Sequence, residues 1–137
     1  MRDSLAPFVA RLLISAIFVQ GAMGKILGWS GQLEYMQRHG IGFTAPLLAA
    51  ALFIEAVGVV CLVTGLAARL AAAVMFLYLV AVSVLLHPFW SGSEAMAGMR
   101  QTEFLKNMAI CGGLLLIAAH GPGRWRLVRG FSQSGKA

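Results

Sequence analysis

The stretch from Pro46 to Gly65, PLLAAALFIEAVGVVCLVTG, decides the fold. Glu55 is its single charged residue, and every residue around it is small or apolar. A helix needs about 20 such residues to cross the hydrocarbon core of a bilayer. Because a lone segment in lipid must satisfy its own backbone hydrogen bonds, this stretch is predicted to be a transmembrane helix.

Three more apolar runs flank this stretch, at residues 7–27, 67–87 and 104–120. The 137 residues are 59% hydrophobic and 12% charged, whereas a soluble domain has about 25% charged residues. The sequence therefore predicts one all-α transmembrane domain over residues 1–137, an antiparallel up-down bundle of four helices spanning approximately 7–27, 46–65, 67–87 and 104–120. The longer first connection favours a short interfacial helix, and residues 88–103 are predicted to be a polar connection with Thr102 and Glu103 at the start of the last helix.

The basic residues predict the orientation of the bundle. One side of the membrane would receive seven of the eleven, namely Arg2, Arg11, Arg69, Arg124, Arg126, Arg129 and Lys136. The other side would receive Lys25, Arg38, Arg100 and Lys106. Because the more basic side stays in the cytoplasm, both termini are predicted to be cytoplasmic. The net charge of +6 then faces lipid headgroups, so the predicted partner is the bilayer and not nucleic acid.

Glu55 is the first candidate functional residue, since placing a carboxylate deep in a membrane costs on the order of 2.5–3.5 kcal/mol. Side chains lean toward the N-terminus of their helix, so Lys25 on the outward-running first helix and Glu55 on the inward-running second helix lean toward each other. The same argument adds neighbours at the same depth. The predicted cluster in the outer half of the bundle consists of Gln20, Lys25, Glu55, His87, Lys106 and Asn107.

Two interpretations of this cluster stay open. It is either a buried polar contact that fixes the helix register, or a small pocket that binds a polar head group or relays a proton. Arg11 and Arg69 lie near inner helix ends and are expected to extend to water. The third span, apart from Tyr78 and Ser83, is nearly featureless and is expected to face lipid more than the others.

No catalytic or metal-binding motif accompanies the cluster. The three histidines, His39, His87 and His120, lack H-x-x-H or H-E-x-x-H spacing, so no metal site is predicted. The two cysteines, Cys61 and Cys111, lie in separate apolar runs and form no C-x-x-C pair. Catalytic residues are therefore left unassigned, and the sequence leans toward a chain without enzymatic activity of its own.

Several short motifs in order resemble the DoxX family of small bacterial membrane proteins. They are Gly21-Ala22-Met23-Gly24-Lys25, Glu55-Ala56-Val57-Gly58, Thr64-Gly65-Leu66, Arg69, His87-Pro88-Phe89-Trp90, Glu103-Phe104-Leu105-Lys106-Asn107, Gly112-Gly113 and Gly121-Pro122-Gly123-Arg124-Trp125. The resemblance covers nearly the whole chain. It implies a four-helix protein of the bacterial inner membrane.

Three candidate functions stay open, and the resemblance bears on the first two. Relatives are associated with thiosulfate oxidation that feeds the quinone pool, and with membrane complexes that handle thiol and superoxide stress. The first expectation is a non-catalytic subunit or scaffold, with a partner protein from a redox or stress complex. The alternative is a quinone-linked redox component, an oxidoreductase only as part of a complex, with quinone as the candidate cofactor. The third is a small-molecule or proton carrier, which would require a homo-oligomer.

Overall fold

The computed structural model describes residues 5–90 and 94–127 and places most of them in five helices. These are α1 (Ala6–Leu27), α2 (Trp29–Arg38), α3 (Thr44–Thr64), α4 (Ala68–Leu86) and α5 (Glu94–His120). In this part of the chain α1, α3, α4 and α5 are long and apolar enough to cross a membrane, and no strand is present. The predicted all-α class with four spans is confirmed.

The start of α5 corrects the sequence prediction. The bounds of α1, α3 and α4 lie within two residues of those predicted, but α5 begins at Glu94 and not near residue 104. Most residues from Glu94 to Glu103 are good helix formers, namely Ala, Met, Arg, Gln and Glu. The segment as a whole is too polar to resemble a membrane span. Thr102 is therefore not a helix cap; its hydroxyl donates to the carbonyl of Gly98, 3.0 Å away within the helix. The 27 residues of α5 extend for about 40 Å, longer than a hydrocarbon core of about 30 Å.

The four long helices form a ring in the order α1, α3, α4, α5. Helix α3 packs against α1 and α4, α4 packs against α5, and a smaller α1–α5 contact closes the ring. The centre is filled by apolar side chains, among them Phe18, Leu62, Met75 and Leu114. The expectation that the third span faces lipid more than the others was wrong, because α4 lies between two neighbours and buries a stripe from Ala68 to Ser83, as large a share of the helix as α3 buries.

The connections hold neighbouring helices close together. Gly65, with a φ of +81°, ends α3 in the left-handed region that glycine adopts without strain. The short turn that follows makes α3 and α4 a tight hairpin. The short helix predicted in the first connection is present as α2, and the Tyr35 hydroxyl donates to the carbonyl of Leu86 at 2.9 Å. This bond holds α2 against the end of α4.

Candidate functional site

A buried ion pair between α1 and α3 is the centre of the candidate site. Lys25 Nζ lies 2.8 Å from Glu55 Oε1, and the two side chains are 19% and 4% exposed. The pair agrees with the opposite directions of α1 and α3, which make the two side chains lean toward each other. Gly21 lies one turn before Lys25, and a Cβ there would lie 3.5 Å from Lys25 Nζ and 3.8 Å from Glu55 Oε1. The absence of a side chain at Gly21 therefore leaves room around the pair.

Tyr78 on α4 is a member of this site that the sequence prediction missed. Its hydroxyl donates to Glu55 Oε1 at 2.7 Å, so a cation and a phenol both donate to one carboxylate oxygen. The other oxygen, Glu55 Oε2, is buried and has no hydrogen-bond partner among the described residues. The carboxylate is thus fixed from α1 and α4 through one oxygen and left with unused acceptor capacity at the other.

These three residues line a cavity of about 170 Å³, here called the polar cavity. His87 at the end of α4 and Lys106 and Asn107 on α5 also line it. Asn107 is buried, whereas Lys106 is exposed and forms an ion pair with Glu103. Five of the six predicted cluster residues therefore surround one cavity.

The sixth, Gln20, is exposed on α1 and lies outside the polar cavity. It lines a wider space of about 620 Å³, the vestibule, together with Lys25, His87 and Lys106. Because Lys25, His87 and Lys106 line both spaces, the polar cavity and the vestibule adjoin. Burial lowers the pKa of His87, the charges of Lys106 and His39 lower it further, and Glu103 partly opposes these effects. The imidazole is therefore neutral at pH 7 and can either donate or accept a hydrogen bond.

An apolar groove adjoins the polar cavity on another side. The groove has a volume of about 220 Å³ and lies between α2, α3 and α4. Its walls are almost entirely hydrocarbon, with Met36, Leu48, Ile54, Ala81 and Leu85 among them. Lys25, Tyr78 and Val82 line both spaces. The ion pair thus lies where a polar space and an apolar space meet.

A second buried charge lies at the opposite ends of α1 and α3. The guanidinium of Arg11 donates to the carbonyl of Leu62 at 2.6 Å and also to that of Trp125. Arg11 is fully buried, so the expectation that it extends to water was wrong. It occupies the C-terminal end of α3, where carbonyls without helical partners favour a cation. Its Nε is buried and has no hydrogen-bond partner among the described residues, and Arg11 does not line the polar cavity.

Residues 5–90 and 94–127 contain no candidate metal site. In this part of the chain no three His, Cys, Asp or Glu side chains come together in a way that could hold a metal ion. Cys61 and Cys111 are both free thiols.

Four spanning helices around a buried ion pair define a small multi-pass membrane protein. The DoxX family model matches residues 6–88, and the SURF4 family model matches residues 49–128. The chain is 32% identical to inner membrane protein YqjF of Escherichia coli K12, over 93% of this chain and 92% of that protein. It is 31% identical to inner membrane protein YphA of the same organism, over 88% and 86%. The chain belongs to the DoxX family. No solved structure matches it.

Proposed function

We propose that this protein is a quinone-linked component of the inner membrane that binds a quinone head group in the polar cavity. The observation that carries the proposal is the buried carboxylate of Glu55, which is fixed by Lys25 and Tyr78 through Oε1 and finds no partner for Oε2 in residues 5–90 and 94–127. A buried acceptor without a partner costs about 1–3 kcal/mol, so a ligand that donates a hydrogen bond to Oε2 would remove that cost.

The shape of the surroundings supports an amphipathic ligand. Quinones of the membrane pool combine a polar ring with a hydrocarbon tail. The polar cavity and the apolar groove provide adjacent spaces of these two characters, with Lys25 and Tyr78 on the boundary. Binding sites for small molecules are usually concave and apolar with a few polar groups that fix orientation. The association of DoxX relatives with the quinone pool points to the same ligand.

The test is a titration of the purified protein with decylubiquinone, followed by quenching of tryptophan fluorescence. We expect saturable binding that becomes at least about tenfold weaker in the double variant Lys25→Met/Glu55→Gln, since both polar anchors are removed. The double variant is preferred over either single one because it leaves no lone buried charge.

The matched control is Glu34→Gln/Arg38→Met, which removes an exposed ion pair on α2. This control should bind like the unaltered protein. Saturable binding of equal affinity in the Lys25→Met/Glu55→Gln variant would exclude the polar cavity as the quinone site.

The orientation of the bundle is part of the same proposal. Both termini in the cytoplasm would place the polar cavity toward the periplasmic side. The support is the excess of basic residues at the other end, of which Arg2, Arg129 and Lys136 lie outside the described residues. A C-terminal green fluorescent protein fusion should fluoresce, and a C-terminal alkaline phosphatase fusion should be inactive; the reverse result would overturn the orientation.

The role as a non-catalytic subunit with a partner protein stays a prediction from sequence. It is compatible with quinone binding, because a subunit of a redox complex can supply the quinone site. Purification in a mild detergent should recover a defined partner if this prediction is right.

A further inference from the structure

We infer that the polar cavity takes a head group that donates a hydrogen bond, so that it selects the hydroxylated, reduced form of a quinone over the oxidised form. We also infer that the hydrocarbon tail of the same molecule lies in the apolar groove. Both inferences rest on the proposed function and make its ligand more specific.

The first step concerns Glu55. In an ion pair with Lys25 the carboxylate is charged, and both of its oxygens can only accept hydrogen bonds. Oε1 already accepts from Lys25 and Tyr78. Oε2 has no partner among the described residues, so a ligand satisfies it only by donating. A hydroxyl group does this, whereas a carbonyl oxygen next to Oε2 would bring two acceptors together.

The second step concerns Lys25. An ammonium group has three donors. One goes to Glu55 Oε1 at 2.8 Å and another forms a long bond to the Gly21 carbonyl at 3.4 Å. These are the bonds that Lys25 makes within the described residues. The ammonium group of Lys25 can therefore still donate a further hydrogen bond. A hydroxyl can accept from Lys25 while donating to Glu55, so it satisfies both sides of the ion pair; a carbonyl satisfies only one.

The third step concerns the tail. A hydroxyl bound at Oε2 lies in the polar cavity, which shares Lys25, Tyr78 and Val82 with the apolar groove. The groove continues along α3 and α4 past Ala51 and Ala81, whose small side chains leave room for a chain of methylene groups. Because the two spaces share these three lining residues, the groove is the adjacent space that can take the tail of the molecule whose head is at Glu55.

The binding test compares decylubiquinol with decylubiquinone under anaerobic conditions. The two probes have the same ring and tail and differ in whether the ring oxygens donate. We expect the unaltered protein to bind the quinol at least about tenfold more tightly, because the quinone leaves a buried acceptor unpaired. In Lys25→Met/Glu55→Gln the amide can both donate and accept and no lone charge is left buried, so the preference should fall to about twofold or less.

The outcomes separate this inference from the proposed function. Equal affinity for the two probes, or tighter binding of the quinone, would overturn donor selection and leave quinone binding intact. A preference for the quinol that is unchanged in Lys25→Met/Glu55→Gln would overturn the role of Oε2. Failure of both probes to bind would overturn the proposed function and this inference together.

The tail is tested with Ala81→Phe, which fills the groove from α4. We expect this variant to bind decylubiquinol at least about fivefold more weakly and to bind the tailless 2,3-dimethoxy-5-methylhydroquinone unchanged, since only the decyl chain occupies the groove. The control is Ala16→Phe on the exposed face of α1, which should alter neither affinity. Unchanged decylubiquinol affinity in Ala81→Phe would overturn the placement of the tail.

Discussion

Glu55 shows how a single residue is kept charged inside a bundle that is otherwise apolar. Carrying a carboxylate to this depth costs on the order of 2.5–3.5 kcal/mol. Hydrogen bonds to a charged group contribute about 1.5–3 kcal/mol each, and Glu55 accepts two, from Lys25 and Tyr78. The two bonds therefore offset part of the cost of burying the Lys25–Glu55 pair. They also connect three helices through one oxygen atom.

Replacing Tyr78 with phenylalanine should reveal the contribution of the phenol. The variant keeps the aromatic ring but removes the 2.7 Å bond to Glu55, so we expect the free energy of unfolding to fall by about 1.5–3 kcal/mol. Unfolding in detergent with increasing denaturant, followed by circular dichroism, measures it.

Tyr35→Phe is the matched control for this substitution. It removes a bond of similar length, 2.9 Å, but to the neutral carbonyl of Leu86 and at an exposed position. We expect a loss of about 0.5–1 kcal/mol. Equal losses in the two variants would mean that the bond from Tyr78 to the Glu55 carboxylate contributes no more stability than a bond to a neutral carbonyl.

The predictability of the site differs from residue to residue. Lys25 and Glu55 could be paired from sequence because a buried charge requires a partner and helix direction determines where its side chain leans. Tyr78 could not be assigned, since a tyrosine in an apolar span resembles an aromatic residue that faces lipid. The hydroxyl of Tyr78 becomes informative only when the rotation of α4 relative to α3 is known.

At the scale of the helix, close approach of α3 and α4 depends on Gly58. A Cβ at this position would clash with the sulfur of Met75, which is fully buried. We expect Gly58→Ala to lower the free energy of unfolding by about 1–3 kcal/mol, because Met75 must move in a filled core. Unfolding by denaturant in detergent, followed by circular dichroism, measures this change.

Gly112→Ala on α5 provides the comparison for Gly58→Ala. Nothing lies within 4 Å of a Cβ at Gly112, so alanine should be neutral or stabilise the helix by up to about 1 kcal/mol. Destabilisation of similar size by both substitutions would show that helix propensity or detergent effects, and not the Gly58–Met75 contact, explain the result.

Helix boundaries and helix environments were predictable to different degrees. Hydropathy located α1, α3 and α4 to within two residues, because the ends of these spans coincide with the ends of their apolar runs. Hydropathy did not predict that Glu94 to Glu103 belong to α5, because these residues are helical through their helix propensity and are not an apolar run. It also failed for the environment of α4, since a run that is apolar on every face does not indicate which face is buried.

At the scale of the whole molecule, two buried charges lie at opposite ends of the bundle, and each keeps one buried atom without a hydrogen-bond partner among the described residues. Glu55 lines the polar cavity. Arg11 instead joins the start of α1 to the end of α3 and to the segment after α5, through Leu62 and Trp125. The contact with Trp125 spans 114 positions in sequence, and local patterns do not reveal contacts of this range. This explains why Arg11 was expected to reach water.

Arg11→Met should therefore release the segment after α5 before it disturbs the rest of the bundle. Methionine keeps much of the hydrocarbon of the side chain but loses the bonds to the Leu62 and Trp125 carbonyls, so we expect a loss of about 3 kcal/mol in the free energy of unfolding. The backbone amide of Leu127 donates to the carbonyl of Thr64 at 3.0 Å, and its hydrogen exchange should become faster.

Arg69→Met, which removes an exposed bond to Ala118, should leave that exchange rate nearly unchanged. Unaltered exchange at Leu127 in Arg11→Met would show that the segment after α5 is held by its own backbone contact, and that the burial of Arg11 is a consequence of the fold and not one of its causes.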